Sequence, residues 1–305
     1  MPTSKAAVPF SRVYQTAWQA CRDLWPVFIA QILYIAFNYG AFFFCLVITF
    51  WPLLEKIFQA VQGGASLTQA DYQSWISDFV LKAQDFNWLF MVIGIFLLYL
   101  TWWSILSAWF NGGLYGRFWA WTEGEKKFNW MSFLKDGFYH LIPMVLLQSY
   151  VVIFFMVVFL ILFLTVLFFG VVLSLLHAPL VLEILLALPL PFLFLGLMVF
   201  FGVYFFTAQG CLMRDQGPWT AFKEGAQSCW ANGGRIFRGM GLILVVYLVV
   251  AVLLQMILKV FSFIPFLGFL FALADFGVGI LFTVWSGIYF PALAVVFLSK
   301  REAKG

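Results

Sequence analysis

The chain has 305 residues, of which 64% are hydrophobic, 21% aromatic and only 10% charged, and its mean hydropathy is +1.00. A water-soluble domain has no interior large enough for that much apolar surface, whereas a bilayer accepts it; the apolar runs are unbroken rather than alternating, which excludes a membrane β-barrel. The net charge of +4 is too small and too scattered for nucleic acid, so the expected class is all-α: a polytopic membrane bundle forming one integral membrane domain over 1–305.

The N-terminal stretch SRVYQTAWQACRDLW predicts a short amphipathic helix, with Tyr14, Ala17, Trp18, Cys21 and Trp25 on one face. A first span follows over Leu24–Phe50. It is too long for the apolar core of a signal peptide, so no cleaved leader is expected. After GGAS, a flexible hinge, the segment at about 66–86 predicts an outer amphipathic helix lined by Tyr72, Trp75, Ile76, Phe79, Val80 and Ala83. The second span is read at Trp88–Phe110. A second inner helix is expected to start at Ser132 as N-cap and to bury Phe133, Leu134, Gly137, Phe138 and Leu141.

The third span is read at Pro143–Leu173 and the fourth at Leu180–Phe206, the latter kinked by Pro189 and Pro191. In DQGPWTAFKEGAQSCWANGGRIFRG, Pro218 suits a first helical turn, and Trp219, Phe222, Ala226, Cys229 and Trp230 form the apolar face of a third inner helix. The fifth span is Gly239–Leu258. Phe261–Ala274 is too short to cross and reads as a re-entrant or interfacial turn before the sixth span, Phe276–Leu298, with a kink at Pro291.

The pattern is six transmembrane helices in three hairpins, each hairpin preceded by an inner amphipathic helix, in loose repeat units 1–112, 113–212 and 213–305. With both termini inside, only Lys56, Lys82 and Lys259 of the 17 Lys and Arg fall outside. The positive-inside rule therefore makes the inner side cytoplasmic, and the expected location is a bacterial inner (cytoplasmic) membrane.

Chemistry-bearing constellations are sparse. Cys21, Cys45, Cys211 and Cys229 have no paired spacing, and His140 and His177 are expected on opposite sides of the membrane. No catalytic, cofactor-binding or metal-ligating residues are expected. The carboxylates of TEGEKKF (Thr122–Phe128) read as a solvated turn rather than an acid/base pair. Gln31, Asn38, Gln148, Gln209 and Gln255, inside the apolar runs, read as interhelical hydrogen-bonding groups. The Gly112-x-x-x-Gly116 spacing lies at a helix end and reads as a weak packing signal.

Two segments resemble a family. MRDQGPWTAFKEGAQSCWANGGRIFRGMGLIL, and one unit earlier GGLYGRFWAWTEGEKKFNWMSFLKDGF, are similar to bacterial six-helix proteins related to the glycerophosphodiester phosphodiesterase membrane domain. The resemblance implies the six-helix fold. It implies no activity, because the chain ends soon after its last span with no phosphodiesterase domain, and no catalytic residue carries over.

The leading expectation is thus a non-enzymatic inner-membrane scaffold, accessory subunit or lipid-organising protein. Its partners would be anionic headgroups on the cytoplasmic side, and a membrane-protein partner or a second copy. Arg117, Lys126, Lys127, Lys223, Arg235 and Arg238 are the expected contacts. The alternative is a transporter or channel for a lipid or small solute, with Gln148, Glu183, Gln209, Gln255 and Asp275 along its path.

Overall fold

The computed structural model describes residues 9–62, 73–77, 80–81, 85–175, 189–214, 216–262 and 268–302. It is 93% helical, with no strand among the described residues. The helices are α1 (Phe10–Asp23), α2 (Pro26–Gln62), α3 (Phe86–Thr122), α4 (Trp130–Tyr139), α5 (Leu141–Leu175), α6 (Pro189–Leu212), α7 (Pro218–Ser262) and α8 (Gly268–Glu302). Six are long and apolar enough to cross a membrane, over Pro26–Trp51, Phe86–Thr122, Leu141–Phe168, Leu193–Leu212, Gly234–Val260 and Leu273–Ser299. The protein is an all-α, multi-pass helical bundle.

The chain forms two compact units, Met1–Gln31 with Ala108–Gly305, and Ile32–Ser107. In the smaller unit, α2 and α3 meet through Phe42 and Tyr99, whose rings are 5.4 Å apart. In the larger unit the core is formed by the ends of the returning helices. Tyr115 on α3 donates to Phe206 O on α6 at 3.0 Å, and one turn on, Trp119 Nε1 donates to Gly210 O at 3.0 Å. Gly210 lies where three helices converge, since a Cβ there would stand 2.7 Å from Leu298 of α8 and 3.7 Å from Tyr115. The most apolar stretches of α6 and α8 are 44% and 61% buried, against 6% for α5 and α7. α6 and α8 thus make much of the interior, joined by the end of α3, while α5 and α7 leave their most apolar stretches exposed.

Around this core three shorter helical segments dock: α4 and the first turns of α7 each on the returning helix before it, and α1 on the last helix. α4 crosses α3 so closely that a Cβ on Gly113 would lie 2.6 Å from Phe133 O, and one on Gly137 2.7 Å from Trp109 O. The first turns of α7 cross α6, where a Cβ on Gly225 would lie 2.7 Å from the Ala208 Cβ and Tyr204 donates to Phe222 O at 2.8 Å. α1 packs against the end of α8, with the Phe10 and Phe297 rings 6.3 Å apart and the Tyr14 hydroxyl donating to Gly239 O at 3.1 Å. The first helix therefore closes on the last. The residue at the crossing is glycine on α4 and α7, Gly137 and Gly225, and α1 buries Ala17 fully. The motif Lys135-Asp136-Gly137 on α4 recurs as Lys223-Glu224-Gly225 on α7.

Several expectations need correction. The second inner helix starts at Trp130, not after Ser132, because the Asn129 side chain accepts from Met131 N and Ser132 N and caps it earlier. Pro189 and Pro191 are the first and third residues of α6 as described, and 180–188, the first part of the expected fourth span, lies outside the described residues. Of Phe261–Ala274, 261–262 end α7 and 268–274 begin α8, while 263–267, where the turn is expected, lies outside the described residues. α7 joins the third inner helix and the fifth span in one 45-residue helix. The junction is marked by Gly234, whose φ of 72° is left-handed backbone that glycine adopts without steric cost. Pro291 does lie inside α8. Of the outer segment at 66–86, residues 73–77 are helical, while 66–72, 78–79 and 82–84 lie outside the described residues.

The faces also differ from expectation in a systematic way. On α1 the buried residues are Val13, Ala17, Ala20 and Cys21, while Trp18 and Trp25 point outward; on α7, Ala221, Gly225, Ser228 and Cys229 are buried while Trp219 and Trp230 are exposed. On α4 only Phe133 and Gly137 are buried, and Phe138 is exposed. On α1 and α7 small side chains face the core, because they let helix axes approach closely, and the tryptophans turn away, whereas on α4 Phe133 is buried beside Gly137.

Gly113→Leu or Gly225→Leu should each destabilise the bundle by roughly 1–3 kcal/mol through overpacking. Gly40→Leu, at a position with nothing within 4 Å, should not. Thermal unfolding of purified variants in detergent reads the difference, and equal midpoints for all three would remove the docking argument.

Candidate functional site

The docking end of the larger unit carries most of the expected contact residues. Arg117 lies on α3 within LYGRFWAW, a charge set among apolar neighbours, and it is 7% exposed. Its Nε and NH2 both donate to Asp136 Oδ2 of α4, at 3.1 and 2.8 Å, and its NH1 donates to Glu125 Oε1 at 3.0 Å. Gly116 makes room for this pairing, since a Cβ there would lie 2.7 Å from Asp136 Oδ2. Arg117 is thereby neutralised and enclosed. It does not face headgroups, which corrects its assignment as a surface contact; Glu125 lies in the exposed turn that was expected and also pairs with Arg117.

The network continues to α1. Trp121 Nε1 donates to Asp23 Oδ2 at 3.2 Å, and Asp23 lies 3.7 Å from the Arg22 guanidinium. Lys126 folds back over Trp121, with Nζ 3.4 Å from the ring centroid and donating to Trp121 O at 3.1 Å. The turn that returns Glu125 and Lys126 to this cluster depends on Gly124, at φ 113°. A solitary arginine between aromatic residues was the available sequence signal for this cluster. Its partners, 8 and 19 residues away, could be assigned only once α4 was seen to cross α3.

The other expected contact residues remain at the surface. Lys127 and Arg238 are exposed; Lys223 is exposed with its ammonium 5.0 Å from the Trp219 ring; Arg235 is half-buried with its guanidinium 5.4 Å from the Phe10 ring. Cations stacked on rings in this way keep their charge while losing some mobility. Beside them stand exposed rings on all three docked segments: Trp18 and Trp25 on or next to α1, Trp130, Phe138 and Tyr139 on α4, Trp219 and Trp230 on α7. The structure therefore groups cations and aromatics at one end.

The residues of the expected path are distributed differently. Gln148 and Gln209 are buried, each with an amide nitrogen that has no partner; Gln255 is exposed; Asp275 is half-buried with Oδ1 sealed and unpartnered. Glu183 and His177 lie outside the described residues. Gln31 packs against α8, with its amide nitrogen 2.5 Å from where a Cβ on Gly287 would stand.

None of the four cysteines forms a disulfide. Burial pushes the Cys21 thiol up to about 12 and the Cys229 thiol up to about 11, so both stay protonated at neutral pH and are poor nucleophiles. The described residues hold no group of three His, Cys, Asp or Glu positioned for a metal ion. Comparison of the chain with protein-family models, with curated proteins and with solved structures finds no match.

Asp136→Ala should cost roughly 3 kcal/mol, because it leaves Arg117 buried with only the half-exposed Glu125 beside it. Replacing the pair together, Arg117→Met with Asp136→Leu, should cost distinctly less. Unfolding midpoints in detergent compare the two, and a double variant as unstable as the single one would show that the pair is not a mutually compensating unit.

Proposed function

We propose that this protein is a bacterial inner-membrane scaffold or lipid-organising protein, with both termini cytoplasmic, whose docking end engages the anionic leaflet. The observation that carries the reading is the shared location of exposed tryptophans and basic residues on segments fastened to one packed end. Trp18, Trp25, Trp130, Trp219 and Trp230 suit the acyl–headgroup boundary, and Lys127, Lys223 and Arg238 suit the phosphates beyond it. The three docked segments act on this reading as amphipathic interfacial helices. The bias of Lys and Arg toward this end supports the cytoplasmic orientation. Kinship with stand-alone relatives of the glycerophosphodiester phosphodiesterase membrane domain, and a non-enzymatic role, belong to the same proposal. A membrane-protein partner or a second copy would be held through this end as well.

A basic residue near an anionic leaflet contributes ~1 kcal/mol. The triple variant Lys127→Glu, Lys223→Glu, Arg238→Glu should therefore lower enrichment of phosphatidylglycerol over phosphatidylcholine by at least about tenfold. Mass spectrometry of lipids retained from mixed nanodiscs measures this. Unchanged enrichment in a folded variant would refute the lipid role, and a stoichiometric co-purifying protein would favour the accessory-subunit form.

The unpartnered amide nitrogens of Gln148 and Gln209 favour one second reading, a path for a lipid or small solute. If that is the function, Gln148→Leu with Gln209→Leu should abolish flux in proteoliposomes. On the scaffold reading the same change removes two uncompensated buried donors and leaves stability equal or higher.

A further inference from the structure

Arg117 is neutralised by two carboxylates, but Arg235 on α7 is not. It is half-buried, and among the described residues no acidic group pairs with it. It directly follows Gly234, the left-handed junction between the inner segment and the fifth span. Its guanidinium lies 5.4 Å from the Phe10 ring, and that ring is fixed in turn. A Cβ on Gly239 would stand 3.0 Å from Phe10 and 2.7 Å from Phe297, whose ring is 6.3 Å from that of Phe10. Stacking of this kind holds a guanidinium in place and leaves its charge and its planar fork of donors for another group. Arg238 lies one turn further along α7 and is exposed. Residues three apart on a helix are neighbours, so two like charges stand side by side here and repel. An anion between them removes the repulsion.

The same face of α7 then changes character. Helical spacing continues it from Arg238 to Leu242 and Val246, and both of these are exposed. They belong to the apolar stretch Gly234–Val260, which is long enough to cross a membrane. Within about three turns the face passes from two guanidinium groups to bare aliphatic side chains. A guest that matches it carries phosphate oxygens at one end and hydrocarbon at the other. Because no acidic group stands against Arg235 to receive an ammonium, the face favours a headgroup without positive charge. We propose that this face of α7 holds one anionic phospholipid of the phosphatidylglycerol type. Arg235 and Arg238 donate to its phosphate oxygens, and an acyl chain runs along Leu242 and Val246.

This rests on the lipid-engaging reading above, but it concerns one tightly held molecule rather than the enrichment that surface charge produces. The test separates the two. The full chain is reconstituted in nanodiscs of mixed phosphatidylglycerol and phosphatidylcholine, extracted into mild detergent, and examined by native mass spectrometry for lipid that survives stripping. Wild type is expected to keep one phosphatidylglycerol. Arg235→Gln with Arg238→Gln should lower that occupancy by at least about tenfold at an unchanged unfolding midpoint. Arg235→Lys, which keeps the charge but loses the planar fork, should still lower it severalfold, a change that surface charge alone would not produce. Lys127→Glu with Lys223→Glu should reduce enrichment of the surrounding phosphatidylglycerol and leave the retained molecule in place. Equal retention by wild type and the Arg235 variants would overturn the site, and if enrichment still responds to Lys127 and Lys223, only the site is lost. Retention of phosphatidylcholine as readily as phosphatidylglycerol would overturn the charge assignment. Displacement by millimolar inorganic phosphate would overturn the assignment to a lipid and point to a free-phosphate site.

Discussion

The structure depends on the closeness with which helices cross at the docking end. A helix axis can approach a neighbour to within backbone contact where a large side chain is lacking, and Gly113, Gly137, Gly225 and Ala208 supply those places. In a bilayer no hydrophobic gain drives helix association, because lipid is as apolar as the partner helix; dispersion and hydrogen bonding at short range must serve instead. Once the backbones touch, side-chain donors reach main-chain acceptors across the contact, as Tyr115, Trp119 and Tyr204 do. The close crossing creates the polar contacts, and the polar contacts fix its register.

The same closeness explains how a charge is tolerated inside. Arg117 would be costly within an apolar bundle if it stood alone. Docking of α4 brings Asp136 over Gly116, and the Gly124 turn brings Glu125 back, so three ionic groups are assembled by one helix crossing. Such a pair adds little net stability compared with well-packed apolar residues, but it is satisfied in one placement of α4 on α3. Its contribution is therefore to specify where α4 lies. The packing supplies affinity and the ion pair supplies position.

Much of this was legible from the residues. The number, order and approximate limits of the six long helices follow from apolar run length, and Trp88–Phe110 and Pro143–Leu173 lie inside α3 and α5. What periodicity could not tell was which apolar residues face inward. A helical wheel treats Trp18 and Ala17 alike as apolar, but in a bilayer both protein and lipid accept them, and side-chain volume decides. On α1 and α7 the small residue goes to the core and the tryptophan to the boundary, so the expected faces hold at Ala17, Cys21 and Cys229 and fail at Trp18, Trp25, Trp219 and Trp230. The Arg117 cluster was illegible for a different reason: its members come from separate elements, and a sequence read locally shows a lone arginine and a solvated acidic turn. The repeat of Lys135-Asp136-Gly137 as Lys223-Glu224-Gly225 was present in the letters, but its meaning rests on both glycines lying at crossings.

Those outward rings are a consequence of the crossings as much as a feature of the surface. A docked segment that spends its small residues on contact with the bundle must place its large ones elsewhere, and α1, α4 and α7 all place them around the same end. Because each segment is fastened by backbone contact, the rings and the cations stacked on them are held in fixed relation to one another. By contrast, α5 and the long outer part of α7 bury only 6% of their most apolar stretches, so their surroundings supply most of their contacts. A bilayer would then meet one end whose geometry the protein dictates and long helices whose packing the lipid completes. Selective recognition requires a preorganised arrangement, and within the larger unit the docking end is where such an arrangement exists.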